Sequence, residues 1–91
     1  MTVSYKIIWK ASAGKEIYNL PRTLISKIFN EIARLAENPR PVGSRKLRNS
    51  KNNYRIRFGD YRVIYSIFKD ILIIEIVKIG HRKDVYDKLV R

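Results

Sequence analysis

Three arginines in one short segment are the residues most able to do chemistry. Arg55, Arg57 and Arg62 surround the dipeptide Gly59-Asp60, which separates two apolar runs. Glycine in the first turn position suits a type II′ hairpin, so Phe58 faces Tyr61, Arg57 faces Arg62, Ile56 faces Val63 and Arg55 faces Ile64. Side chains alternate along a strand, so the three arginines share one side. Like charges opposite each other across a ladder destabilise it. A bridging anion removes that penalty, and guanidinium forks match phosphate well. The same register sets Glu75 opposite Ile64, diagonal to Arg62, and one carboxylate does not neutralise three cations.

Next comes Gly80-His81-Arg82-Lys83-Asp84-Val85-Tyr86, which brings the only histidine, a further arginine and a tyrosine to the end of the sheet. Tyr86 reads equally well as a proton carrier or as a core aromatic. Arg45, Lys46, Arg48 and Lys51 lie in a stretch with no acidic residue between Glu37 and Asp60, and read as contacts to a phosphate backbone. The chain has no glycine-rich phosphate loop and no His/Asp/Glu cluster at metal spacing, and a single histidine leaves no nucleophile triad. We therefore expect neither metal nor cofactor.

The elements that must position these groups follow from hydrophobic periodicity. Val3, Tyr5, Ile7 and Trp9 alternate as a first strand. Ser12 is expected to cap a short helix that ends before Pro21. Pro21 suits the first turn of a second helix, whose buried stripe is Leu24, Ile25, Ile28, Phe29, Ile32, Leu35 and Ala36. Asn38-Pro39 stops it. Residues 40–53 read as a loop. Strands are expected near 53–58, 61–68 and 71–79, the last two joined by Lys69-Asp70.

The strand side opposite the arginines carries Tyr54, Ile56, Phe58, Tyr61, Val63, Tyr65 and Ile67, joined by Leu72, Ile74 and Ile76. That is a core face for the helical stripe to cover. Residues 84–91 form a short helix or tail. The order β-α-α-β-β-β predicts an α+β fold, two helices packed on one face of a mostly antiparallel four-stranded sheet.

Ninety-one residues suffice for a single domain, 1–91, with one core. There are no cysteines, and the N-terminus lacks the apolar run of a signal peptide. Ile71–Val77 is interrupted by Glu75 and is too short to span a bilayer. These features suit a cytoplasmic protein with no membrane partner. With 20 Lys and Arg against 8 Asp and Glu, the formal charge is +12, which favours a polyanion.

The segments "YRIRFGDYRVIY" (54–65) and "GHRKDVY" (80–86), with Lys46-Leu47-Arg48 before them, resemble the RelE/ParE toxin superfamily across essentially the whole chain. The resemblance implies a microbial-ribonuclease-like fold and a toxin–antitoxin pair. RelE-type members cut mRNA in the ribosomal A site without a metal. The message's 2′-hydroxyl attacks the adjacent phosphorus and leaves a 2′,3′-cyclic phosphate and a 5′-hydroxyl.

Residue by residue, Arg55 and Arg57 match a basic pair that is often lysine in the family. Arg62 matches the arginine of the Gly-x-Tyr-Arg segment, and Arg82 and Tyr86 match the C-terminal motif. His81 falls where relatives carry His or Lys, so the general base is Tyr86 or His81. The implied partner is an acidic RelB-like antitoxin, and DNA enters only through an antitoxin complex. Two other readings are open. One is a ParE-type poison of DNA gyrase, and the other is a non-catalytic basic protein that binds the ribosome or RNA.

Overall fold

β1 (Lys6–Trp9) leads into α1 (Ala11–Glu16), a 3₁₀ turn (Ile17–Asn19) and α2 (Arg22–Arg34). β2 (Arg45–Lys46), β3 (Asn53–Phe58), β4 (Tyr61–Phe68), β5 (Ile73–His81) and α3 (Arg82–Leu89) follow. The computed structural model describes residues 4–89, with side chains through residue 85. The sheet has five strands in the order β1-β5-β4-β3-β2, where the four-strand expectation had none within 40–53. The extra strand is short, because only Arg45 and Lys46 pair with β3. A run with Pro41, Gly43 and otherwise mainly polar residues gives no period-two signal from which so short an edge could be read. β1 lies parallel to β5, and the other pairings are antiparallel.

α1 starts earlier than a Ser12 cap would permit. The backbone N–H of Lys10 still bonds the Ile76 carbonyl as the last rung of the β1–β5 pair, and the Lys10 carbonyl accepts the first helical bond from Gly14. Lys10 is therefore the N-cap, with no side-chain cap, and Ser12 lies inside the helix. Pro21 is likewise the cap of α2, one position outside its first turn.

Ile28, Ile32 and Leu35 bury one side of α2 and its C-cap against Ile56, Val63, Tyr65, Ile74 and Ile76. Each fully buried isoleucine contributes roughly 1.5–3 kcal/mol of transfer free energy. Phe29 lies at the margin of the stripe, its ring 5.4 Å from that of Trp9.

The β3–β4 hairpin has the expected register, from Asn53 opposite Ser66 to Phe58 opposite Tyr61. Gly59 has φ +60° and Asp60 is not in the positive-φ region, as a type II′ turn requires. The β4–β5 link is longer than two residues. It spans 69–72, and Leu72, assigned to the core face by alternation, is instead exposed in the turn with φ +54°. β5 accordingly begins at Ile73 and continues to His81, where 71–79 was expected.

Tyr65 is completely buried, and its hydroxyl donates to the Pro39 carbonyl at 2.6 Å, fastening the segment after α2 to the sheet. Burial pushes its phenol up to about 12, partly offset by a hydrogen bond with Ser44. The protonated form is thus favoured in the folded state. Its stabilising contribution is complete below the unfolded tyrosine value of about 10 and is lost as pH rises toward 12. Denaturant titrations between those two pH values should show falling stability in the wild type and a flatter profile for Tyr65→Phe.

Candidate functional site

Pairing in the sheet brings four arginines together. Arg57 lies opposite Arg62, and Arg45 lies opposite Arg55. Alternation along β3 puts Arg55 and Arg57 on the same side, so Arg45, Arg55, Arg57 and Arg62 form a staggered block over β2, β3 and β4. Each like-charged pair directly opposed costs stability, on a scale of roughly 0.2–1 kcal/mol per cross-strand pair. The sequence alone suggests a loop position for Arg45, in contact with backbone phosphates. Its membership of the block depends on β2, which carries no sequence signal.

The four are not equivalent. Arg62 is 5% exposed, and its Nη1 donates to the carbonyls of Gly59 (2.8 Å) and Tyr61 (2.9 Å), so it closes the hairpin turn. Its Nε is buried with no acceptor, as is Nη1 of Arg55. Buried donors of charged groups are seldom left unmatched, and both of these belong to the arginine block. Arg57 is exposed and free to meet a ligand. Among the described residues the ion pairs are Arg34–Glu31 and Lys78–Glu16, and neither touches this block.

A β-bulge decides what joins the arginines. Tyr65 pairs with Ile76 but Ile64 pairs with Lys78, so Val77 is an extra residue in β5. The longer 69–72 link, rather than this bulge, changes the register expected for Glu75, which lies opposite Ser66 instead of Ile64, away from Arg62. The bulge itself reverses the alternation beyond residue 77. Ile79 enters the core face opposite Val63, Gly80 falls opposite Arg62, and His81 falls opposite Tyr61. Without the bulge, His81 would share the arginine side. Instead its ring meets the Tyr61 ring edge-on at 5.8 Å, and it lines a separate cavity of about 380 Å³ with Glu16 and Asp84.

Apolar residues stand at 73, 74, 76, 77 and 79, on both parities, so alternation alone does not mark the bulge. Beyond the end of β1, Glu16 occupies the edge of β5. Its carboxylate accepts the Ile79 backbone N–H at 3.1 Å and the Lys78 ammonium at 2.6 Å.

The face opposite the core is also less open than expected. Ile64 and Val85 are fully buried and Ser66 nearly so, outside the main core cluster. A Cβ on Gly80 would lie 3.2 Å from Cγ2 of Val85, so Gly80 provides the space for α3 to dock there. The Arg82 backbone N–H donates to the Asp60 carbonyl at 2.8 Å. That bond holds the start of α3 at the hairpin end that carries Arg57 and Arg62. The Arg82 side chain is exposed. Tyr86 is within α3, but its side chain lies outside the described residues.

The remaining basic residues divide. Arg48 is exposed beside Asn49, whose φ is +59°. Lys46 lies opposite Tyr54, a core-side residue, and lines a cleft with Lys51 rather than joining the arginine block. Among the described residues, no three His, Cys, Asp or Glu side chains are grouped as metal ligands, and no helix is long and apolar enough to cross a membrane.

A family model described as the ParE toxin of type II toxin–antitoxin systems matches residues 7–86. The chain belongs to the RelE/ParE toxin superfamily. A RelE-like protein of Escherichia coli is 30% identical over 87 residues, spanning 91% of this chain and 90% of the relative. RelE in the RelE–RelB complex from Pyrococcus horikoshii superimposes with a TM-score of 0.77 at 28% identity, over 87% of this chain and 96% of that one. The isolated E. coli RelE toxin has the same fold, with a TM-score of 0.76 at 24% identity over 96% of each chain. This RelE-like α+β fold therefore carries its arginine block on the sheet side away from α1 and α2.

Proposed function

We propose that this superfamily member is the RelE-type toxin of a toxin–antitoxin pair, a ribosome-dependent endoribonuclease that cleaves mRNA in the A site and so inhibits translation. The observation that carries the reading is the arginine block with its unmatched buried donors. In-line attack of a 2′-hydroxyl on phosphorus needs a proton removed and negative charge stabilised on the pentacoordinate phosphorane. The leaving 5′-oxygen must also receive a proton. Guanidiniums held on a sheet are preorganised for the second task. They stay protonated in proteins and make poor bases.

In this reading Arg55 and Arg57 hold the scissile phosphate, Arg62 fixes the turn beneath it, and Arg82 assists the leaving group. Tyr86 is the base, since His81 lies on the Tyr61 side of β5. Arg45 and Arg48 extend the grip along the message. The chemistry needs no metal and no cofactor. The ribosome supplies alignment of the message, which is worth several orders of magnitude in rate and leaves the free enzyme weak.

An acidic antitoxin would mask a chain of charge +12 by charge complementarity. The P. horikoshii relative is itself seen bound to RelB. The place of action would be the cytoplasm, where ribosomes are.

Primer extension on a message incubated with intact ribosomes, with and without the protein, tests the proposal. Cuts within codons that need both ribosome and protein support it. The ParE description of the matching family model favours the second reading, poisoning of DNA gyrase. Absence of cuts together with inhibition in a supercoiling assay would establish that one instead.

A further inference from the structure

The cleft holding Lys46 and Lys51 is distinct from the arginine block and has a different chemistry. It encloses about 600 Å³ between the 40–52 segment and the 69–72 turn. Its charged groups are Arg40, Lys46, Lys51 and Lys69 against a single acid, Asp70. Ile67, Phe68 and Ile71 supply an apolar floor and wall. A second hollow of about 290 Å³ shares Arg40, Ile67 and Lys69 with it, so the groove continues toward Tyr5 and Asn38.

Two features of the 69–72 turn separate a peptide from a nucleic acid as the occupant. Ile71 is 64% exposed and Leu72 41% exposed, at a hairpin tip where polar residues ordinarily stand. Leu72 also has φ +54°, a conformation that glycine or asparagine adopts more readily. Adjacent exposed aliphatic side chains offer nothing to a phosphate backbone. They do suit apolar anchors of a protein partner, and exposed lysine–carboxylate pairs contribute too little to hold a peptide without such anchors.

We propose that this groove docks an extended acidic segment of a partner protein, its carboxylates on Arg40, Lys46, Lys51 and Lys69 and its aliphatic side chains on Ile71 and Phe68. For the partner's identity alone, the inference rests on the toxin–antitoxin reading.

Fluorescence anisotropy on the purified chain tests it with three labelled probes: a short peptide alternating Glu and Leu, a polyglutamate of equal length, and an oligouridylate. The Glu-Leu peptide should bind more tightly than polyglutamate, and Ile71→Ser should weaken it about tenfold, a loss of one well-placed anchor. Lys69→Glu, at an independent exposed position, should weaken both peptides by a similar factor. Neither variant should move oligouridylate affinity by more than about twofold, since that probe measures the arginine block.

Equal binding of the two peptides, or no response to Ile71→Ser, would overturn the proposal. A matching loss of oligouridylate affinity would assign the groove to RNA. Ribosome-dependent cleavage uses none of these probes, so the docking groove and the nuclease reading fail separately.

Discussion

Arg57→Ala should reduce ribosome-dependent cleavage by roughly 10²–10³-fold, the usual cost of removing one preorganised donor to a developing anion. The variant should fold normally. Arg57 is exposed, has no ion-pair partner among the described residues, and stands opposite another arginine. Its removal relieves repulsion, and surface changes of this kind usually stay within about 0.5 kcal/mol.

Arg62→Ala is the less informative change. It deletes both hydrogen bonds to the turn carbonyls of Gly59 and Tyr61, each worth about 1.5–3 kcal/mol because the donor is charged. Lost activity there would mix folding with chemistry. Single-turnover cleavage and thermal midpoints measured together decide the matter. Unchanged cleavage by a folded Arg57→Ala protein would remove the block from the chemistry.

Tyr86→Phe should lower the single-turnover rate by about 10²–10⁴-fold, the range for loss of a positioned acid or base, while ribosome affinity stays the same. His81→Ala is the companion measurement. The bulge sets His81 opposite Tyr61 and away from the arginine side, so its truncation should have much the smaller effect on rate. If the order is reversed, the proton carrier is His81 and the message must approach from the Tyr61 side of β5. If neither variant slows cleavage but both weaken binding, the protein acts as a binder.

Much of this architecture was legible because local chemistry and global packing agree. Gly59-Asp60 specifies a two-residue turn, and with the turn comes the entire β3–β4 register, including Arg57 opposite Arg62. The stripe through Ile28, Ile32 and Leu35 identifies the buried side of α2 for the same reason, since one helical period points those side chains one way. What alternation could not provide was any event that breaks its own period. Lys69-Asp70 contains no glycine to force a tight turn, and the link lengthened to 69–72. Neither β2 nor the bulge at Val77 is marked by glycine or proline.

The sequence by itself therefore determined the presence of α1 and α2, four of the five strands, most of the core face and the placing of Arg55, Arg57 and Arg62 on a common side. These are consequences of neighbours a few residues apart. Tertiary structure alone decided which other groups meet them. Pairing of β2 with β3 brought Arg45 opposite Arg55. The extra residue in β5 sent His81 to the other face and set Gly80 opposite Arg62, leaving room for Val85. Such contacts depend on the register between strands. A one-residue slip exchanges the two faces of everything downstream, and local sequence carries no energy term large enough to fix that slip before the core has packed.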